Sequence, residues 1–286
     1  MKTSLTYSGS YMESIYNNVE TNINLAWWRY FPLFTGAMSY AKIILIVGAG
    51  PRLGAGIASK FREGGYKVAL AARSLTTGLS AEGTLEIKVD LADPTSVPQM
   101  FETVKQFWGI PNVVVYNGAN RLLTPPDDPF SASLETITAS RTVGFDSAYV
   151  TAQEALRGFQ QLSSFAAKAF IYTGNTLNQI AIPGVSPFAY GKVSAAMMIE
   201  YAANAYGGRR CKFYYVDERL EDGRPAGEDL DGVAHGKIYW ELAHELVQSK
   251  WLVTFTKEGG RREFIGKDFD GYTREDHFLN MKGFGL

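Results

Sequence analysis

The apolar run Ile43-Ile44-Leu45-Ile46-Val47 leads straight into Gly48-Ala49-Gly50-Pro51-Arg52-Leu53-Gly54-Ala55-Gly56, and the helix-like stretch Ile57-Ala58-Ser59-Lys60-Phe61 follows. A buried strand that meets a glycine-rich turn and then a helix is suited to gripping a diphosphate. Glycines let the backbone turn tightly and approach a ligand, and the helix start offers free N–H groups and a positive dipole end. The glycines are not spaced as G-x-G-x-x-G, because Leu53 stands where the last glycine would fall. The alternative is a glycine-rich strand–helix turn that holds no ligand.

A second cue closes the next apolar run, Leu70-Ala71-Ala72-Arg73-Ser74. A carboxylate at such a strand end would bond the ribose hydroxyls and repel a 2′-phosphate. Ala72 is neutral, whereas Arg73 and Ser74 offer a guanidinium fork and a hydroxyl to a phosphate monoester. Arg52, inside the turn, is a candidate second cation. These residues favour NADP(H) over NAD(H).

Positioning them requires strands and helices in alternation. Short, fully apolar runs flanked by turn residues predict strands over 43–47, 67–72, 85–89, 112–117, 169–173 and 212–216, with a further one over 252–256. Helical stretches fill 54–64, 94–108, 133–160 and 187–205. The polar, glycine-rich segment 218–233 reads as a mobile loop leading into a helix over 235–248. Alternation of this kind specifies a parallel sheet with crossover helices.

The Gly50, Gly54, Gly56 spacing resembles that of the short-chain dehydrogenase/reductase family. Further marks follow in the family's order over residues 42–216. Asp90-Leu91, after Val89, looks like the pair that brackets the adenine. Asn117-Gly118-Ala119, after Val115-Tyr116, is similar to the family's Asn-Asn-Ala-Gly. Lys192 opens a long helix behind Pro183-Gly184-Val185-Ser186. The resemblance implies an α/β, Rossmann-like doubly wound sheet of about seven parallel strands, with the ligand at their carboxyl ends. Its cofactor site would comprise Gly48, Gly50, Arg52, Leu53, Gly54, Gly56, Arg73, Ser74, Asp90, Leu91, Asn117, Gly118, Ala119 and Lys192.

The catalytic positions depart from that pattern. The family's engine is Tyr-x-x-x-Lys, in which the lysine lowers the tyrosine pKa and binds the nicotinamide ribose while the tyrosine gives the substrate oxygen a proton. Aligned on Lys192, the tyrosine position holds Phe188, the serine becomes Asn175 and the helix asparagine becomes Gly144. Tyr190 is a candidate substitute acid, although on a helix it points about 200° away from Phe188. Asn175, Arg121 and Asp146 are candidates to orient or pair with a substrate, and Arg141 is a weaker one; each could equally be a solvated or structurally paired residue. Tyr239, Trp240 and Trp251 could line a hydrophobic pocket or simply pack.

Composition bounds the remaining classes. The chain has 286 residues, 46% of them hydrophobic, with a net charge of −1 and one cysteine, Cys211. The charge balance argues against nucleic acid as a main partner, and the lone cysteine excludes an internal disulfide. Three histidines give no metal cluster. Residues 1–40 form an aromatic-rich extension before a single domain over 41–286. The extension's run Leu25-Ala26-Trp27-Trp28-Arg29-Tyr30-Phe31 is too short to span a bilayer and lacks a secretory pattern. It is an arm that packs on the domain or a partner, a shallow membrane contact, or a stretch without a role. The expected location is cytoplasmic. Family members commonly associate through the faces of their fourth and fifth helices, which implies a homodimer or homotetramer.

Three functions fit these residues. One is an NADPH-dependent reductase of an imine, iminium or activated acceptor, where hydride quenches a charge already present and the missing tyrosine costs little. Another is a carbonyl reductase with a different proton donor. The third is a non-redox protein, either a cyclase or a cofactor-binding scaffold, that keeps the fold without the chemistry.

Overall fold

The computed structural model describes residues 41–264; the readings made for residues 1–40 lie outside the described residues. Its centre is one nine-stranded sheet. The strands are β1 (Ile43–Val47), β2 (Lys67–Ala72), β3 (Gly78–Leu79), β4 (Leu85–Lys88), β5 (Val113–Tyr116), β6 (Ala169–Thr173), β7 (Lys212–Arg219), β8 (Leu252–Thr256) and β9 (Gly260–Arg261). Their order is β3-β4-β2-β1-β5-β6-β7-β8-β9. All pairings from β4 through β8 are parallel, and β3 and β9 add antiparallel edges. The seven parallel strands are those expected. The two edge strands were not, because two residues are too few to show a period.

The helices are α1 (Leu53–Glu63), α2 (Val97–Phe107), α3 (Leu134–Arg141), α4 (Ser147–Gln161), α5 (Ser186–Tyr206) and α6 (Gly232–His244). Helices α1 and α6 cover one face of the sheet and α2, α4 and α5 the other, each over its own apolar cluster. Strand order reverses between β1 and β5, which places the switch point above Gly48 and Asn117.

Three local departures from expectation bear on the site. The helix over 133–160 is interrupted by a π turn, Thr142–Asp146. There the hydroxyls of Tyr116 and Tyr172 donate to the carbonyls of Val143 and Gly144 at 2.5 and 2.7 Å. A Cβ on Gly144 would stand 3.2 Å from the Cα of Gly191, so glycine lets α5 approach the turn. Strand β7 continues three residues beyond the expected end, through Asp217, Glu218 and Arg219, all buried. Buried charges are tolerated when paired, and these are: Arg219 Nε lies 2.5 Å from Asp217 Oδ2, and His235 Nδ1 3.2 Å from Glu218 Oε2. The segment read as a mobile loop from 218 is therefore partly strand. It then folds back through a bridge between Arg219 and Pro225 and a short turn, Gly227–Asp229. Finally, Asp231 caps α6 by accepting from Ala234 N at 2.8 Å, starting that helix earlier than expected.

Candidate functional site

Two cavities adjoin at the carboxyl ends of the strands, sharing Asn117 and Ala119. The outer one, about 680 Å³, runs over β1, β2 and β4 and is lined by Gly48, Gly50, Arg73, Ser74, Asp90 and Leu91 among others. Gly48 has φ +80°, and a Cβ there would meet Gly118 N at 2.5 Å; this is where glycine is required. A Cβ on Gly50 would meet nothing within 4 Å, so the backbone faces open space where the cleft meets the start of α1. Asn117 braces the two strand ends by donating to Gly48 O at 2.9 Å. Arg73 and Ser74 are exposed at the rim beside neutral Ala72. Asp90 uses Oδ1 to accept from Ala92 N at 3.0 Å, which shapes the loop.

The inner cavity, about 230 Å³, lies over β5, β6 and β7. Lys192 reaches it from α5, 4% exposed, and Nζ donates to Thr173 O at 2.7 Å. The ammonium lies 4.7 Å from the Tyr172 ring centre and 5.4 Å from that of Phe188. Burial pushes the Lys192 pKa down to about 7, with Asp217 opposing the shift. Phe188 is half-buried and lines the cavity, so the ring beside the lysine offers no hydroxyl. Asn175 lines it too; its Oδ1 accepts from Leu177 N at 3.1 Å, which leaves Nδ2 as the donor end. Apolar walls come from Leu53, Leu177, Ile182, Val185 and Leu230.

The two cavities collect most of the residues singled out in the sequence, but not all. Arg52 lines the inner cavity, not the outer one, and donates to Glu228 O at 2.8 Å. Gly54 and Gly56 line neither cavity. A Cβ on Gly54 would lie 2.9 Å from Ala49 Cα and one on Gly56 2.2 Å from Gly232, so these glycines seat α1 against the turn and against α6. Tyr190 is 43% exposed and also lines neither cavity, because its position on α5 turns it away from Lys192. Asp146 pairs with Arg141 at 3.2 Å and lies outside both. Arg121 lines the inner cavity, half-buried, and burial lowers its pKa against the opposing Glu228. The aromatic residues near the loop pack instead of lining a pocket. Tyr239 is buried and donates to Thr173 Oγ1 at 2.8 Å, Trp240 stacks edge-on against Phe61 and Tyr66, and Trp251 packs against the core.

Asp217 and Glu218 are lining residues that the sequence reading missed. Burial pushes the Asp217 carboxyl up to about 6, with Arg219, His235 and Lys192 opposing. The available signal was the uninterrupted alternation of Phe213, Tyr215 and Asp217, on one face, with Tyr214, Val216 and Glu218 on the other.

Known proteins resemble the chain along most of its described length. A short chain dehydrogenase/reductase of Cryptosporiopsis sp. strain 8999, dmxR12, is 38% identical over 235 residues, covering 78% of this chain and 95% of the relative. Among solved structures, a short-chain dehydrogenase/reductase from Serratia marcescens superposes with a TM-score of 0.60 at 19% identity, covering 76% of this chain and 96% of that one. A blue fluorescent protein from a metagenomic library, solved in complex with NADPH, superposes with a TM-score of 0.58 at 19% identity, covering 77% and 97%. No protein-family profile matches the chain.

Proposed function

The chain belongs to the short-chain dehydrogenase/reductase family of oxidoreductases, and on that premise we propose that it is an NADP(H)-dependent reductase of an imine, iminium or other activated acceptor. The outer cavity suits the dinucleotide. Glycine at 48 allows the tight turn, the backbone at Gly50 faces open space beside the start of α1, and Arg73 and Ser74 flank a strand end without a carboxylate. The solved neighbour that carries NADPH supports the same cofactor. The proposed binding unit is residues 41–286, with residues 1–40 as an extension.

The observation that carries the choice of substrate is the Phe188 ring at 5.4 Å from Lys192 Nζ. When bound, the reduced dinucleotide supplies hydride. Lys192, held by Thr173 O, would hold the ribose hydroxyls with its remaining N–H groups. Asn175 Nδ2 would orient the acceptor, and the apolar walls would exclude water and select a hydrophobic substrate. The phenylalanine ring at position 188 has no proton to feed to an alkoxide. A substrate whose positive charge is quenched by hydride has less need of one.

The test compares NADPH consumption with a cyclic imine and with the cyclic ketone of the same skeleton. The reading expects the imine to be turned over at least about 100-fold faster, and expects Phe188→Tyr to raise ketone turnover. Equal rates on both, or no consumption with either, would overturn it.

We also propose that the chain forms a homodimer or homotetramer through α4 and α5. Tyr149, Val193, Met197 and Tyr201 are exposed there beside a groove of about 890 Å³. Light scattering should show an oligomer that Tyr201→Glu dissociates. Among the described residues no helix is long and apolar enough to cross a membrane, and a cytoplasmic location is the proposed one.

A further inference from the structure

Asp217, on β7, is fully buried yet lines the inner cavity together with Thr173 of β6 and Lys192 of α5. Its two oxygens have different surroundings. Oδ2 accepts from Arg219 Nε at 2.5 Å, and Arg219 is itself braced by Gly223 O at 3.1 Å and by Gln179 Oε1 at 3.0 Å. Oδ1 is buried and has no hydrogen-bond partner. Among the described residues that line the cavity, it is the one buried side-chain oxygen in this condition.

An ionised carboxylate with one oxygen unpaired in an apolar cavity is costly. A carboxyl with its proton on Oδ1 is neutral there, and no protein group among the described residues is hydrogen-bonded to that oxygen. Burial pushes the group in that direction, up to about 6, which suits proton exchange near neutrality. The groups facing it are Lys192 from α5, Tyr215 and Arg219 from β7, and His235 and Tyr239 from α6.

The other acids at this strand edge are committed. The hydroxyls of Tyr116, Tyr172 and Tyr215 each donate to a backbone carbonyl, and that of Tyr239 donates to Thr173 Oγ1. Burial raises the pKa of all four. Lys192 Nζ is tied to Thr173 O.

We propose that Asp217 is the catalytic acid of this site, protonating the nitrogen of a neutral imine bound in the inner cavity and then pairing, as a carboxylate, with the iminium so formed. The assignment rests on the hydride-transfer reading above. In the proton step the O–H bond at Oδ1 breaks, its electron pair stays on the carboxylate, and the nitrogen lone pair forms the N–H bond. The reduced nicotinamide, when bound, would supply hydride to the iminium carbon and be oxidised in doing so. The C=N π pair becomes the nitrogen lone pair of the amine, and water reprotonates the carboxylate. Arg219 and Gln179 are positioning residues: Arg219 holds Oδ2, Gln179 braces Arg219, and Oδ1 is left without a protein partner.

The test uses the full chain loaded with oxidised NADP, which cannot turn over, and 3,4-dihydroisoquinoline as probe. This imine absorbs at longer wavelength when protonated. Above the probe's own pKa, the bound probe should show the protonated band in the wild type and the neutral band in Asp217→Asn. With NADPH, the variant should convert the probe about 100-fold more slowly, while its NADPH affinity stays within about 2-fold of the wild type. A neutral band in the wild type, or a protonated band in both proteins, would overturn the proposal. The wild-type spectrum decides even if the variant fails to fold. A probe that does not bind while NADPH does would also overturn it, leaving the cofactor reading intact. Absence of NADPH binding would instead strike the hydride-transfer reading itself.

Discussion

The outer and inner cavities share a wall at Asn117 and Ala119 yet are built from different materials. The outer one is largely backbone: a glycine at φ +80°, the turn that follows it and strand ends, with charge confined to the exposed Arg73 and Asp90. The inner one is side chains, with buried Lys192, Asp217 and Glu218 held in a framework of tyrosines. Tyr116, Tyr172 and Tyr215 stack across three strands at 5.6 and 5.5 Å. A backbone grip depends on a few glycines and tolerates change around it. A side-chain site can be rewritten one residue at a time. On the proposed reading, with Phe188 at the tyrosine position, binding and chemistry are separable, and substitutions in each half should fail in different ways.

The largest effect is expected in the inner half. Lys192→Ala should lower turnover by about 100-fold or more, measured by steady-state kinetics, and weaken NADPH by only about 10-fold. In the outer half, Gly48→Ala forces a side chain into positive φ and against Gly118. It should cost about 2 kcal/mol or more and lower the Tm by about 5 °C, with NADPH binding lost in a fluorescence titration.

A third comparison concerns stability against pH. Burial lowers Lys192 from 10.5 to about 7. Between those values the folded chain binds fewer protons than the unfolded one, so this group adds stability as pH rises. Asp217 is raised from 3.8 to about 6, and there the folded chain binds more protons, so its contribution falls as pH rises through that window. Lys192→Met should thus melt higher than the wild type at about pH 7 and lose that advantage by about pH 10, in a calorimetric series. The gain is about 2 kcal/mol once the unpaired Thr173 carbonyl is counted.

Arg73→Ala should weaken NADPH by about 10-fold and leave NADH unchanged, which would sharpen the assignment of the outer rim. Tyr190→Phe should change turnover by less than about 2-fold, since its exposed ring lines neither cavity. A large loss there would break the division between the two halves.

What could be read in the sequence follows the same division. The parallel strands were legible because each is an apolar run between turn residues, and the outer cavity because glycines and strand ends fall in a fixed order. The placing of Arg52 was not legible: its position in the turn says nothing of where a long side chain goes, and Glu228 O accepts from it at the inner cavity. The end of β7 was missed because Asp217-Glu218-Arg219 has the composition of a loop, although the two-residue alternation runs on into it. Asp217 and Arg219 pair with each other, and partners distant in sequence, His235 and Gln179, complete what makes those charges tolerable inside. The π turn was hidden for a like reason, since the tyrosines that bond its carbonyls come from other strands. Lys192 and Asn175 were found by alignment to a family pattern, but Asp217 lies outside that pattern.

The central claim is that the grip on NADP(H) is intact although the tyrosine position holds phenylalanine. Its most direct test is a calorimetric titration of the full chain with NADPH and, separately, with NADH. The account predicts a single site with a Kd of about 10 μM or tighter for NADPH, and NADH weaker by about 10-fold or more. Failure of both to bind, or equal affinity for the two, would contradict it.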